Sequence, residues 1–139
     1  MSAIFPSPEW VTSLSDKLNS DEKYGQTAHK WEGDLMFLIE PGDGLEEEMQ
    51  IYLDLWHGKC RDGYIVEKGK DQEAAFVLQA AYGNFSRVLT GKLDPMQAMM
   101  TRKLKVQGSM AYMMRNVPTV LEFVRCAQEI TDSYIGQEV

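Results

Sequence analysis

The residues that could do covalent or acid–base chemistry are few. The 139-residue chain holds two histidines, His29 and His57, and two cysteines, Cys60 and Cys126. An imidazole works as a base near neutral pH when a partner orients it, but His57 lies in a Trp56-His57-Gly58 turn and the sequence assigns it none. His29 reads as a helix-end residue. The cysteines lack the CxxC or Cys/His spacing of a zinc or redox site and read as reduced thiols, one in a strand and one in a helix. Glu46, Glu47 and Glu48 precede a strand as a solvated run of carboxylates with no second arm to close on a divalent cation. Neither GxGxxG nor a P-loop occurs, so nucleotide phosphates would have to be met by side chains. These residues imply no catalytic group, no metal and no cofactor, and the chain reads as a non-enzyme.

Recognition of apolar matter is better provided for. Gly91 to Met114, GKLDPMQAMMTRKLKVQGSMAYMM, carries six of the nine methionines. Methionine is flexible and polarizable, so it adapts to irregular apolar shapes, and such a segment serves either as ordinary core or as the wall of a variable apolar ligand. From Lys92 to Arg115 the cations Lys92, Arg102, Lys103, Lys105 and Arg115 face Asp94 alone, a local charge of +4 in a chain of net −7. The overall acidity opposes generic binding to nucleic acid and a purely electrostatic hold on anionic lipid.

Hydrophobic periodicity supplies the elements that must position this segment. Ser7 and Pro8 open a first helix with Trp10, Val11, Leu14 and Leu18 on one side, and the polar residues Asn19 to Asp21 restart the chain as a short second helix through Tyr24 and Ala28. GDLMFLIE from Gly33, Met49 to Trp56 and Cys60 to Glu67 read as an antiparallel meander of three strands. Ala74 to Tyr82 is a fourth strand, followed by a short helix through Phe85, Val88 and Leu89 that Gly91 closes. Asp94-Pro95 opens a helix with Met96, Met99 and Met100, and Leu104 to Gln107 is a fifth strand. Ser109 caps a brief helix with Met110, Met113 and Met114, and a final long helix carries the stripe Val117, Val120, Leu121, Val124, Ala127 and Ile130. The order specifies an α+β domain with helices covering one sheet face.

A single domain over residues 1–139 is large enough to bury roughly two thirds of its unfolded surface. Leu35 to Ile39 is the longest wholly apolar run, far short of the roughly 20 residues of a membrane-spanning helix. MSAIFPSPEW has no basic residue ahead of an apolar stretch and does not read as a secretory signal. A cytoplasmic location is expected.

The stretch YGNFSRVLTGKLDPMQAMMTRKLKVQG, Tyr82 to Gly108, supported by WEGDLMFLI and IYLDLWHGKC, resembles the sterol carrier protein 2 family of lipid-binding domains. The resemblance runs over nearly the whole chain. It implies a five-stranded, mainly antiparallel sheet, helices over one face, and an apolar tunnel between the layers for a fatty acid, fatty acyl-CoA, sterol-like lipid or phospholipid. Burial of apolar surface, at about 25 cal/mol per Å², would hold such a ligand in a cavity of roughly 300 to 1,000 Å³. With the periodicity, the resemblance implies lipid-lining roles for Phe37, Ile39, Met99, Met100, Met110, Met113, Met114, Leu121 and Val124, and head-group contact by Arg102 and Lys103. Where the family often carries Trp in the helix after the fourth strand, this chain has Phe85. The chain's end at Val139 lacks a Ser-Lys-Leu peroxisomal signal, so the organellar targeting of some relatives is not carried over. An accessory module that docks an enzyme of lipid metabolism is the alternative. Transient membrane contact, ligand identity and oligomeric state stay open.

Overall fold

Alternating and helical hydrophobic periods sort the chain into a sheet layer and a helix layer. The computed structural model describes residues 3–136. Its elements are β1 (Ala3–Phe5), α1 (Pro8–Ser20), α2 (Glu22–Thr27), β2 (Leu35–Glu40), β3 (Met49–Trp56), β4 (Lys59–Ile65) and β5 (Phe76–Ala81). They continue with α3 (Tyr82–Leu89), α4 (Pro95–Met100), β6 (Lys105–Gln107), α5 (Met110–Arg115), α6 (Val117–Ile130) and β7 (Thr131–Tyr134).

The main sheet has the order β4-β3-β2-β5-β6. Only β2 and β5 pair in parallel; the other neighbours are antiparallel. In β3 the register follows the alternation of apolar residues, because a one-residue slip would turn every side chain to the opposite face. Phe37 stands opposite Ile51 and Leu78, and Leu35 opposite Leu53 and Phe76, so large apolar side chains fill the helix-facing side. On the other face Met36 meets Tyr52 and Val77, and Leu38 meets Gln50 and Gln79. Gly33 and Gly108 flank Phe76, with φ of +157° and +116°; a Cβ on either would strike its ring or the neighbouring backbone.

Local chemistry sets the helix ends. Trp10 N–H donates to Ser7 Oγ at 3.1 Å, capping α1, and Tyr24 N–H donates to Asp21 Oδ1 at 2.9 Å, capping α2. Met96 and Gln97 N–H both donate to Asp94 Oδ1, at 2.8 and 3.0 Å. With only six residues, α4 is too short to hold itself. Asp94→Ala is therefore expected to cost about 1 kcal/mol, read as a lower urea midpoint at unchanged slope; no change would mean that packing alone fixes this helix.

Two features depart from the sequence reading. A second sheet pairs β1 with β7 in parallel; these strands of three and four residues are too short for a period of two to show. Trp10 Nε1–H donates to Thr131 Oγ1 at 2.7 Å and Tyr82 Oη–H to the Ile135 carbonyl at 2.6 Å, tying β7 and the residue after it to α1 and α3. The buried face of α6 is also rotated from the expected stripe. Thr119, Phe123, Cys126, Ala127 and Ile130 point inward and Leu121 is 43% exposed, because the 3.6-residue repeat centres the docked face on Phe123.

Candidate functional site

The helix and sheet layers do not meet completely. Between them lies a cavity of about 70 Å³. Leu35, Phe37, Leu55 and Leu78 form its sheet side. The helix side comes from Phe85, Val88 and Leu89 of α3, Met99 of α4, Met113 of α5, and Thr119, Val120, Phe123, Val124 and Ala127 of α6. Sheet residues reach it because alternation sends every second side chain inward, and α6 reaches it along one helical stripe.

Aromatic rings close the space at two places. Phe5 packs edge-on against Trp10 with centroids 4.7 Å apart, and Phe37 lies 5.3 Å from Phe85 and 6.1 Å from Phe123. Elsewhere Trp31 packs on Phe76 and Tyr112 at 5.3 and 5.1 Å. Of the wall residues, Leu89, Val120 and Val124 are the half-buried ones, so the cavity comes nearest to solvent between the end of α3 and the first half of α6.

Two polar groups in the wall are spent on the protein itself. Thr119 Oγ1 donates to the Thr27 carbonyl at 3.3 Å and Trp31 Nε1–H to the Gly33 carbonyl at 2.8 Å. Burial holds the Tyr24 phenol above its ordinary range, so it is neutral at physiological pH. The wall therefore offers contact area rather than an acid, a base or a nucleophile. Its free space is smaller than the roughly 300 Å³ at which drug-sized pockets begin, and so smaller than the cavity expected from the family resemblance.

Other reactive groups lie elsewhere. His57 Nε2 is 2.6 Å from Glu32 Oε2, a partner that sequence proximity did not reveal, but both side chains are about half exposed and His57 borders a shallow surface cleft with His29 and Lys59. Both cysteines are buried. Desolvation pushes the Cys126 thiol up to about 11 and raises that of Cys60, so neither supplies a thiolate at neutral pH. Among the described residues no cluster of three or more metal-ligating side chains forms, and no helix is long and apolar enough to cross a membrane.

The SCP-2 sterol transfer family matches residues 12–120. The chain belongs to that family. The fold agrees with a crystal structure of sterol carrier protein 2, 33% identical over 89% of this chain and 97% of that one, with a TM-score of 0.81. It agrees also with a conserved hypothetical protein of Thermus thermophilus, described as a candidate sterol carrier protein: 31% identity over 96% and 94% of the chains, TM-score 0.84. The Aedes aegypti sterol carrier protein 2 in complex with palmitate shares the fold at 19% identity, covering 85% and 93% of the chains, with a TM-score of 0.54. No curated protein matches.

In this SCP-2 family domain the expected lining residues divide three ways. Phe37, Met99, Met113 and Val124 stand in the cavity wall. Ile39 is fully buried in the core beside it, and Met110 is half-buried against the same core. Met100, Met114 and Leu121 are 70, 46 and 43% exposed and face outward. Arg102 and Lys103 are exposed in the turn before β6. Phe85 is part of the wall. Sequence reasoning missed Phe123, Leu78 and Leu55 as wall residues; strand alternation and a helix face centred one residue differently carried the signal for all three.

Proposed function

We propose that this SCP-2 domain binds and carries an apolar ligand, a fatty acid, fatty acyl-CoA, sterol-like lipid or phospholipid, in the cavity between α3, α6 and the sheet, without chemistry. The observation that carries this reading is an interior space lined by apolar side chains, with the polar atoms of Thr119 and Trp31 already bonded. The palmitate complex of the Aedes aegypti relative is in keeping with it. A guest larger than 70 Å³ needs the wall to yield. Met99 and Met113 sit on six-residue helices and change rotamer at little cost, so α4 and α5 are the walls that move. Phe37 and Val124 complete the set that touches the hydrocarbon.

Binding of a fluorescent fatty acid to lipid-stripped protein tests the reading, together with mass spectrometry of lipid extracted from the purified protein. Saturable one-to-one binding is expected; absence of both binding and co-purifying lipid would overturn it. Arg102 and Lys103 are assigned to an anionic head group beside the cavity, so palmitoyl-CoA affinity is expected to fall several-fold on charge reversal at both and in high salt. Equal affinity for all forms would remove that assignment.

A second reading has its own support. The same fold covers 94% of this chain but 17% of a sec-alkylsulfatase from Pseudomonas sp., at 16% identity and a TM-score of 0.52, so it also occurs as a unit within an enzyme. An accessory module of this kind would bring a lipid-metabolising enzyme down in a pull-down while its cavity stayed empty.

A further inference from the structure

One polar side chain of the cavity wall is left without a partner. The hydroxyls of Tyr52, Tyr64, Tyr82 and Tyr112 are each hydrogen-bonded to a protein group, whereas that of Tyr24, a wall residue, has no such bond among the described residues. Yet Tyr24 is only 1% exposed. Every fully enclosed side-chain oxygen and nitrogen among the described residues has a partner, so the Tyr24 hydroxyl opens onto free space, and the cavity is the space this side chain borders. Water does not satisfy it there. The cavity of about 70 Å³ has room for water, but a stable buried water needs about two to four polar partners, and Thr119 Oγ1 and Trp31 Nε1 already donate to the Thr27 and Gly33 carbonyls. An unpaired hydroxyl in apolar surroundings costs free energy, which an acceptor on a guest would relieve.

The fold holds this hydroxyl across the cavity from its mouth. Successive residues of α6 turn by about 100°, which puts Glu122 and Arg125 on one flank of the buried face and Val120, Val124 and Gln128 on the other. The first flank meets α2, where Arg125 bonds Asp21 and Glu122 pairs with Lys23. The second meets α3, where Gln128 Nε2 donates to the Val88 carbonyl at 3.0 Å, and there the cavity comes nearest to solvent. Tyr24 stands at the blind end. Its amide donates to Asp21 Oδ1 at 2.9 Å and its carbonyl accepts from Ala28 N–H at 2.8 Å, while the turn between β3 and β4 lies so close that a Cβ on Gly58 would come within 2.6 Å of the Gly25 carbonyl. This end is fixed while α4 and α5 yield.

Charge decides what can meet a phenol there. No cation stands among the described wall residues, and an ionised carboxylate buried without one costs far more than a single neutral hydrogen bond contributes. A carboxylate therefore stays at the mouth. Burial keeps the phenol protonated, so it is a donor, and a neutral hydroxyl or carbonyl oxygen accepts from it without that charge penalty. We propose that Tyr24 is a specificity-determining residue at the blind end of the cavity, donating to a neutral oxygen carried at the inner end of the ligand's apolar body. This deepens the carriage reading and rests on it.

Calorimetric titration of wild type and Tyr24→Phe with 1-dodecanol and with dodecanoate tests it. The two ligands share chain length and differ in head-group charge, and the variant keeps the ring while removing the donor. Tyr24→Phe is expected to bind 1-dodecanol about three- to tenfold more weakly, the range of one neutral hydrogen bond, and dodecanoate as tightly as wild type. Lipid-free Tyr24→Phe is expected to keep or raise the urea midpoint, because it removes an unpaired hydroxyl from an apolar site. Equal affinity of the two proteins for 1-dodecanol, or a matching loss for dodecanoate, would overturn the proposal. A lower urea midpoint would overturn it too, by showing that the hydroxyl is already bonded inside the protein. Wild type that binds neither ligand would overturn the carriage reading itself and the proposal with it, so the two failures are told apart.

Discussion

Val120→Trp is expected to lower fatty acid affinity at least about a hundredfold, about 2.7 kcal/mol, with the domain still folded. Val120 is half-buried and part of the cavity wall, on the stretch of α6 where the space approaches solvent. An indole there turns into free volume of only about 70 Å³ and takes the room that a hydrocarbon chain needs. Added bulk in a packed interior costs typically about 1 to 3 kcal/mol; beside a cavity and at a partly exposed position, the low end applies. Val120→Ala keeps the space open and is expected to retain binding. Ligand-induced rise in melting temperature gives a second readout, because a ligand that binds only the folded state stabilises by mass action. Wild type should show the rise and Val120→Trp should not. A Val120→Trp variant that binds the fatty acid as tightly as wild type would place the ligand somewhere other than this cavity.

Loss of Asp21 is expected to be the most destabilising single polar change, at about 3 kcal/mol for Asp21→Ala. The carboxylate accepts from Arg125 Nη2 at 2.7 Å and Nη1 at 3.2 Å, from the Tyr24 amide at 2.9 Å, and pairs with Lys17 Nζ at 3.3 Å. It caps α2, terminates α1 and ties both to α6 in one group. Its side chain is 11% exposed and that of Arg125 29%, so solvent screens this pair less than a surface pair of about 0 to 1 kcal/mol. A lost cap costs about 0.5 to 2 kcal/mol and a hydrogen bond to a charged group contributes about 1.5 to 3. The Arg125 guanidinium first, then the Tyr24 amide, hold the Asp21 carboxyl well below its ordinary 3.8.

A depressed folded value fixes the direction of the pH effect. Well above the ordinary value of 3.8 the carboxyl is ionised in both states and its contribution is complete. As pH falls through that value and below, the unfolded chain takes up a proton that the folded one refuses, and stability declines. Glu129, also lowered by Lys17 and Arg125, acts in the same direction. Asp21→Asn keeps a capping oxygen and removes the charge, so its stability should fall less steeply than wild type between about pH 4 and pH 2. Parallel acid limbs in urea titrations of the two proteins would show that this carboxylate is not linked to folding.

Much of the architecture is written in local chemistry. Ser7-Pro8, Asp21 and Asp94-Pro95 start helices because an oxygen placed before the first turn satisfies its free amides. Ile51, Leu53 and Leu55 of β3 share the buried face because a period of two with one buried side leaves no other register. Neighbours along the chain settle such features, so the five-stranded sheet, its covering helices and the α+β class are legible from residue order alone.

Tertiary packing decided the rest. Met99 and Met100 are adjacent and chemically identical, yet one lines the cavity and the other is 70% exposed, because the rotation of a six-residue helix is set by what it docks against. The same holds for Met113 and Met114, and for Leu121, displaced from the wall by Phe123. Asp21 and Arg125 lie 104 positions apart, and β1 finds β7 from the opposite end of the chain. Residue order dictates which side chains could share a face; which of them enclose space, and how much is left between them, depends on how rigid elements settle against one another, where rotating a helix by about 100° exchanges wall for surface.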